Sequence, residues 1–265
     1  MGDFLKKSIY KNPDSLTNNI TIRLTANGYI IIGKDENKEL VSIEEVYSHS
    51  YNFENLLNSV KNEVENYKNS KTNFIFTADE FTIVPEEYFQ QNNFERYFSH
   101  VLKNNDIEKY HFIYTKQNDK YLLSAINKEL FNLIKDSFAT AEIYSDSELF
   151  FSASQKTIAE RNSESVHLFF LKNMVKFLSF DKEANTLLYS QWEYDSMENL
   201  LYFVLKNVMH TQSTTQIDLF MCGEVERESN LTLSFSKYFN KIHFASNISH
   251  ETEWAKHKYF IELSI

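Results

Sequence analysis

Two stretches of this chain lay down the same helical stripe. After Phe53 the apolar positions are Leu56, Leu57, Val60 and Val64; after Met197, 144 residues further on, they are Leu200, Leu201, Val204 and Val208. Both series step by three, four, seven and eleven residues, which is one face of an amphipathic helix. The pentamers that open them, FENLL and MENLL, share four residues. An identity that short is roughly what chance supplies in a chain of this length, so the surroundings decide whether the repeat is structural.

The surroundings repeat as well. Asn52 and Ser196 stand just ahead of the stripes as N-caps. Upstream the period drops to two: in NITIRLT, Ile20, Ile22 and Leu24 face one way and Thr21, Arg23 and Thr25 the other. Asn27-Gly28 offers a type I′ hairpin turn into YIIIG, and a third strand follows from about Glu39 to Tyr47. In the second copy VHLFFL, from Val166, turns at Lys172-Asn173 into MVKFLSF, and TLLYSQWEY, from Thr186, supplies the third strand. Downstream of the helices FIF (Phe74 to Phe76) and DLF (Asp218 to Phe220) read as buried parallel strands. Each half is expected to be a β-β-β-α-β unit.

Between the copies the pattern predicts a helix around Phe94 to Leu102, strands at YHFIYT and YLLSAI, a helix from Lys128 to Phe138, a strand at AEIYS and a helix from Ser147 to about Arg161. The second half closes with a helix near Asn230 to Phe239, a strand at KIHFA and a helix through Trp254. Two domains fit a chain of 265 residues, divided as 1–145 and 146–265, with no Pro- or Gly-rich linker between them.

Composition narrows the partners. Acidic residues outnumber basic ones by 37 to 27, and a net charge of -10 argues against nucleic acid and acidic lipid surfaces. Cys222 is the single cysteine, which leaves no intramolecular disulfide and no cysteine-rich metal site. The longest apolar runs, such as LLYFVL, fall well short of the ~20 residues that span a bilayer. With no signal-like N-terminus, the expectation is a cytoplasmic protein without membrane insertion.

Three hairpin-ordered strands, a crossover helix and a parallel strand, duplicated, resemble the ribonuclease-H-like module of the actin, sugar kinase and heat-shock ATPase superfamily. YLLSAINKELFNLIKDSFATAEIYSDSELFFSAS resembles the closing part of the first domain in the actin-like type IV pilus assembly protein. With TIRLTANGYIII and TIVPEEYF, it is similar to an uncharacterised bacterial family, domain of unknown function 3822, over about Ile20 to Phe244. The resemblance implies an α/β (α+β) protein of actin-like ATPase architecture with two lobes.

It also implies where a nucleotide site would lie. The superfamily places a D-x-G-[ST] turn between the first two strands of each half, where Asp holds hydrated Mg²⁺ and backbone N–H groups hold phosphate. Here the first turn reads Ala26-Asn27-Gly28-Tyr29 and the second Leu171-Lys172-Asn173-Met174. Neither has the Asp, and the second lacks Gly. The superfamily's Gly-Gly pair after the fourth strand of the second half is matched by MCGEVE, where Gly223 is present but Glu224 takes the second place. Four glycines in the whole chain, against about 7% in an average protein, cannot line a phosphate cradle.

Other constellations are weaker. His243, His250 and His257 recur every seven residues, with Glu253 near one helical face of the last two, but metal ligands on a helix sit three or four apart, and a solvated polar face is the simpler reading. Asp79-Glu80 and Glu86-Glu87 could serve a metal-dependent nuclease, yet the first strand carries Arg23 where that chemistry needs Asp. Cys222 reads as a core residue. With 23 Phe and 16 Tyr, an exposed aromatic patch would mark a protein interface. The reading is a non-catalytic scaffold or adaptor with a degenerate nucleotide site, no cofactor, no metal and a protein partner. The alternatives are an ATP-binding or phosphotransfer enzyme of the superfamily and, more distantly, a nuclease.

Overall fold

The computed structural model describes residues 4–12, 15–25, 27–48, 53–67, 70–99, 101–102, 107–159, 163–209, 217–244 and 257–265. Strand β1 (Phe4–Lys11) is followed by the hairpin-ordered strands β2 (Asn19–Thr25), β3 (Gly28–Lys34) and β4 (Leu40–Ser48). Helix α1 (Phe53–Glu65) crosses over to β5 (Lys71–Phe76), which lies parallel to β2. The same order returns in β10 (Ser165–Phe170), β11 (Met174–Phe180), β12 (Thr186–Glu193), helix α5 (Met197–Met209) and β13 (Asp218–Gly223), parallel to β10. Both expected β-β-β-α-β units are present.

The first compact unit comprises Met1–Leu149 with Ile265, and the second Phe150–Ser264. Between β5 and the strand β9 (Glu142–Ser145), the first unit inserts β6 (Glu80–Pro85), a short helix α2 (Phe94–Phe98), β7 (Tyr110–Gln117), β8 (Lys120–Asn127) and α3 (Lys128–Ser137). Helix α4 (Asp146–Ala159) precedes β10, and the second unit adds α6 (Asn230–Phe235) and β14 (Lys241–Phe244) after β13. The sheets run β1-β4-β3-β2-β5-β9 and β12-β11-β10-β13-β14, with a separate sheet β6-β8-β7. Five strands of each large sheet correspond, and β1 is the addition of the first. Among the described residues no helix is long and apolar enough to cross a membrane.

Matching side chains build matching cores. Leu56, Leu57 and Val60 are buried among Ile20, Ile22 and Phe74; Leu200, Val204 and Val208 are buried among Val166, Leu168, Leu219 and Met221. Leu201 is only partly covered. Ser196 caps α5, its Oγ accepting from the Asn199 N–H at 3.2 Å, while Asn52 lies outside the described residues.

The hairpins agree more closely than the stripe suggests. Gly33 pairs with Ser42 and Lys34 with Leu40, which leaves Val41 as a bulge; 146 positions on, Ser179 pairs with Leu188 and Phe180 with Thr186, leaving Leu187 as the same bulge. The turns that lead into the bulged strands match too. Asp35 Oδ1 accepts from the N–H of Asn37 (2.9 Å) and Glu39 (2.8 Å), and Asp181 Oδ1 from Glu183 (3.0 Å) and Asn185 (2.7 Å). Lys38 and Ala184 hold the left-handed position, with φ of 64° and 63°. A carboxylate that satisfies two turn N–H groups lets a non-glycine residue bear the left-handed strain.

Some expectations need correction. Gly28 is not a turn residue: it pairs with Thr25 inside the ladder and its φ lies outside the left-handed region, so Asn27-Gly28 does not form a type I′ turn. Its glycine is required because a Cβ would lie 1.8 Å from the Val46 carbonyl oxygen. Helix α2 stops at Phe98 instead of Leu102. The helix expected through Trp254 lies outside the described residues, and β1 and β6 are strands that the pattern did not disclose.

If the Asp-held turn anchors each hairpin, Asp181→Ala should destabilise by about 1 kcal/mol, as loss of a helix cap does. Ala184→Gly, by removing a strained Cβ, should oppose that loss. Urea midpoints of the two variants, which must move in opposite directions, check both.

Candidate functional site

The superfamily positions in the second unit converge on one end of its sheet. Phe170 and Gly223 face each other where the parallel pair β10 and β13 ends. Just beyond, the Glu224 N–H donates to the Phe170 carbonyl at 2.9 Å and the Val225 N–H to the Gly223 carbonyl at 2.9 Å. Gly223 has a φ of +89°, and a Cβ there would lie 2.2 Å from the Phe170 oxygen and 3.0 Å from the Phe169 ring. The chain's own backbone therefore demands glycine, with no bound group needed to explain it. His257 brackets this turn, with Nδ1 3.1 Å from the Met221 carbonyl and Nε2 2.6 Å from that of Val225. Burial holds its pKa below the usual histidine value, against the opposing pull of those two carbonyls.

The neighbouring hairpin turn is closed by its own hydrogen bonds. The Leu171 N–H donates to the Met174 carbonyl at 2.8 Å, and the Tyr194 N–H to the Asn173 carbonyl at 3.0 Å. The side chains of Lys172 and Asn173 are exposed. Tyr194 Oη lies 3.5 Å from the Leu171 carbonyl, and its pKa is raised by burial and then by the negative charge of Glu224. The field of the exposed Glu224 carboxylate thus reaches the turn. In the first unit Asn27 is exposed and Gly28 lies within β3, while Ala26 lies outside the described residues. Lys172, Asn173, Gly223 and Glu224 come together; Asn27 and Gly28 belong to the other unit.

The remaining candidates are scattered. His243 Nε2 pairs with Asp218 Oδ2 at 2.8 Å, away from the carbonyls that hold His257, and His250 and Glu253 lie outside the described residues. Glu86 is held by Lys116, and the Asp79 N–H donates to the Ala125 carbonyl at 3.0 Å. Among the described residues no three His, Cys, Asp or Glu side chains group as metal ligands. Cys222 is buried, its Sγ 3.5 Å from the Leu168 carbonyl. It shares with His167, Phe150 and Phe260 the lining of a void with room for about one water molecule.

Sequence spacing did not locate a cluster of rings on the inserted sheet, although the number of aromatic residues raised it. One face of the inserted three-stranded sheet carries Leu123 and Ala125, which pack with Phe98 of α2. Around them a band of partly exposed rings runs outward, with Phe89 at its centre: 3.8 Å from Tyr121, 5.2 Å from Tyr114 and 6.3 Å from Tyr97 between ring centroids. Phe94 continues it, 5.8 Å from Tyr114. The Tyr97 hydroxyl donates to the Tyr88 carbonyl at 2.6 Å, and the Tyr88 side chain is 65% exposed.

The family described as "Protein of unknown function (DUF3822)" matches residues 10–242. The chain belongs to this family. No curated protein matches the DUF3822 chain in sequence. Among solved structures, it is similar to a Bacteroides thetaiotaomicron protein with an actin-like ATPase fold and unknown function, with a TM-score of 0.72 and 18% identity over 86% of this chain and 91% of that one. A chain of the PilM-PilN type IV pilus biogenesis complex aligns with a TM-score of 0.60 and 9% identity, covering 93% and 97%. The ethanolamine utilization protein EutJ from Carboxydothermus hydrogenoformans aligns with 0.52 and 8%, covering 96% and 91%. At these identities the likeness establishes the fold: duplicated ribonuclease-H-like units in an actin-like ATPase architecture.

The geometry at Gly223 makes a direct forecast. Gly223→Ala should cost more than ~1 kcal/mol, because the φ is unfavourable for any L side chain and the Phe170 carbonyl must move. The loss should be the same with and without ATP in a thermal melt; a penalty seen only with ATP would return the glycine to a ligand role.

Proposed function

We propose that this chain is a non-catalytic scaffold or adaptor that binds another protein, on an actin-like ATPase fold whose nucleotide positions are degenerate. The observation that carries the reading is the band of aromatic rings on the inserted sheet. Half-exposed Tyr and Phe side chains that touch one another offer a large, rigid contact area at small entropic cost, the composition of binding hot spots. The rings run in a continuous series from Tyr97, stacked on Phe89, to Tyr114 and Phe94, which meet at a tilt.

The chemistry at the degenerate positions supports the same reading. Where phosphate would need free N–H groups, the Glu224 N–H is already taken by Phe170 and the Leu171 N–H by Met174. Where an anion would approach, Glu224 adds a negative charge that already bears on Tyr194. Ala26 offers no carboxylate for a hydrated metal, and Lys172-Asn173 has neither Asp nor Gly. That a neighbour in fold occurs in the PilM-PilN complex is compatible with an adaptor role.

Two experiments test the proposal. Millimolar ATP with Mg²⁺ should leave the melting temperature unchanged, whereas occupancy at a hundred times the dissociation constant would add ~2.7 kcal/mol and raise it by several degrees. A saturable rise would put the ATP-binding reading first. A paired Tyr88→Ser and Tyr114→Ser variant should keep its unfolding free energy within ~1 kcal/mol of wild type, since both residues are exposed. It should nevertheless lose at least tenfold in affinity for whatever protein the wild-type chain retains from its native cell. Undiminished retention would remove the aromatic band from the interface.

A further inference from the structure

Edge strands of natural sheets are guarded against pairing with other molecules, and those described here show the usual devices. β1 carries Lys6, Lys7 and Lys11; β9 and β14 are four residues each; β6 ends in Pro85; β7 carries Lys116. β12 departs from this. It is eight residues long and terminal in its sheet among the described residues, without Lys, Arg or Pro, and its one charge, Glu193, stands at the last position. Leu187, on the bulge, is 42% exposed, and Leu188, Ser190 and Trp192 are half-buried.

The duplication supplies a second, independent observation. β4 is the counterpart of β12, bulge and turn included, and its outer edge is covered: β1 lies antiparallel along it from Ser42 to Ser48. An edge of this shape therefore accepts an antiparallel strand. In the first unit the cover is matched in charge, with Lys6 Nζ 3.0 Å from Glu44 Oε2 and 2.8 Å from Glu63 Oε2. The corresponding residues of the second unit are Ser190 and Asn207, so the strand that completes this edge needs no cation.

We propose that β12 pairs antiparallel with β12 of a second copy of this chain, joining two five-stranded sheets across a two-fold axis. The axis stands perpendicular to the sheet, so residues that meet across it lie on the same face. Centred on Ser190, it sets Leu188 opposite Trp192, on the face where both pack against the core beneath α5, and no charge meets a like charge. The same pairing through β4, centred on Glu44, would bring that carboxylate against its own copy, and there β1 intervenes. The pairing rests on this edge and stands whether or not the chain is an adaptor.

The test uses the full chain. Light scattering at micromolar concentration should give twice the mass of one chain and fall toward a single mass on dilution. Hydrogen exchange of the β12 amides should slow as concentration rises, while exchange in β1 stays constant. Ser190→Lys, which sets two ammonium groups face to face at the axis, should give a folded monomer by circular dichroism and scattering. If that variant does not fold, the exchange measurement on the wild-type chain decides alone. A single-chain mass at every concentration, a dimer whose β12 amides exchange freely, or protection of β12 by a different protein while the chain stays monomeric would each overturn the proposal.

Discussion

Parallel pairing between the strand that begins each hairpin and the strand that follows each helix dictates the rest of the structure. Strands pointing the same way cannot be joined by a tight turn, so the chain must cross over a face of the sheet, and in both units a thirteen-residue helix makes that crossing. Once it lies there, only the side chains at three- and four-residue steps reach the sheet, which is why Leu56 and Val60 and their counterparts Leu200 and Val204 are buried. The pairing also fixes where the chain leaves the sheet. With Phe170 and Gly223 side by side at the ends of β10 and β13, the backbone must turn past a carbonyl, and only glycine makes that turn without collision.

Much of this was legible because it is periodic. Period two in NITIRLT and period 3.6 after Phe53 gave the strands, the helix and the repeat. What was lost lacks period or is fixed by contacts. β1 reads FLKKSIYK, with lysines adjacent instead of alternating, because it is an edge strand with one side toward water. The Asp35 and Asp181 turns lie 146 residues apart while the helical stripes lie 144 apart, so a comparison aligned on the pentamers slides the two aspartates out of register.

Glycine was the least readable residue at the candidate site. Gly28 looks like a hairpin residue and Gly223 like the wall of a nucleoside pocket, yet in both places a neighbouring carbonyl, of Val46 or Phe170, explains the missing side chain. Neither carbonyl is adjacent in sequence. Glu224 was legible as a charge, but not the loss of its N–H to the chain's own backbone. The aromatic band could be foreseen only as a surplus of Phe and Tyr, since the insertion gathers Phe89, Tyr114 and Tyr121 from three separate segments.

The two copies differ most in what precedes them. Ahead of β2 runs strand β1, which lies along the sheet edge; ahead of β10 runs helix α4, whose Phe150 and Phe151 pack on Phe169 and Phe180, on the sheet face. A segment committed to the face cannot also close the edge. Joining two equivalent folding units in one chain is in this sense not neutral: the trailing unit shares the leading unit's contour but is preceded by a connector that does another job. Equivalence of fold thereby becomes asymmetry of exposure: among the described residues, the trailing unit is the one whose hairpin edge is not lined by a further strand.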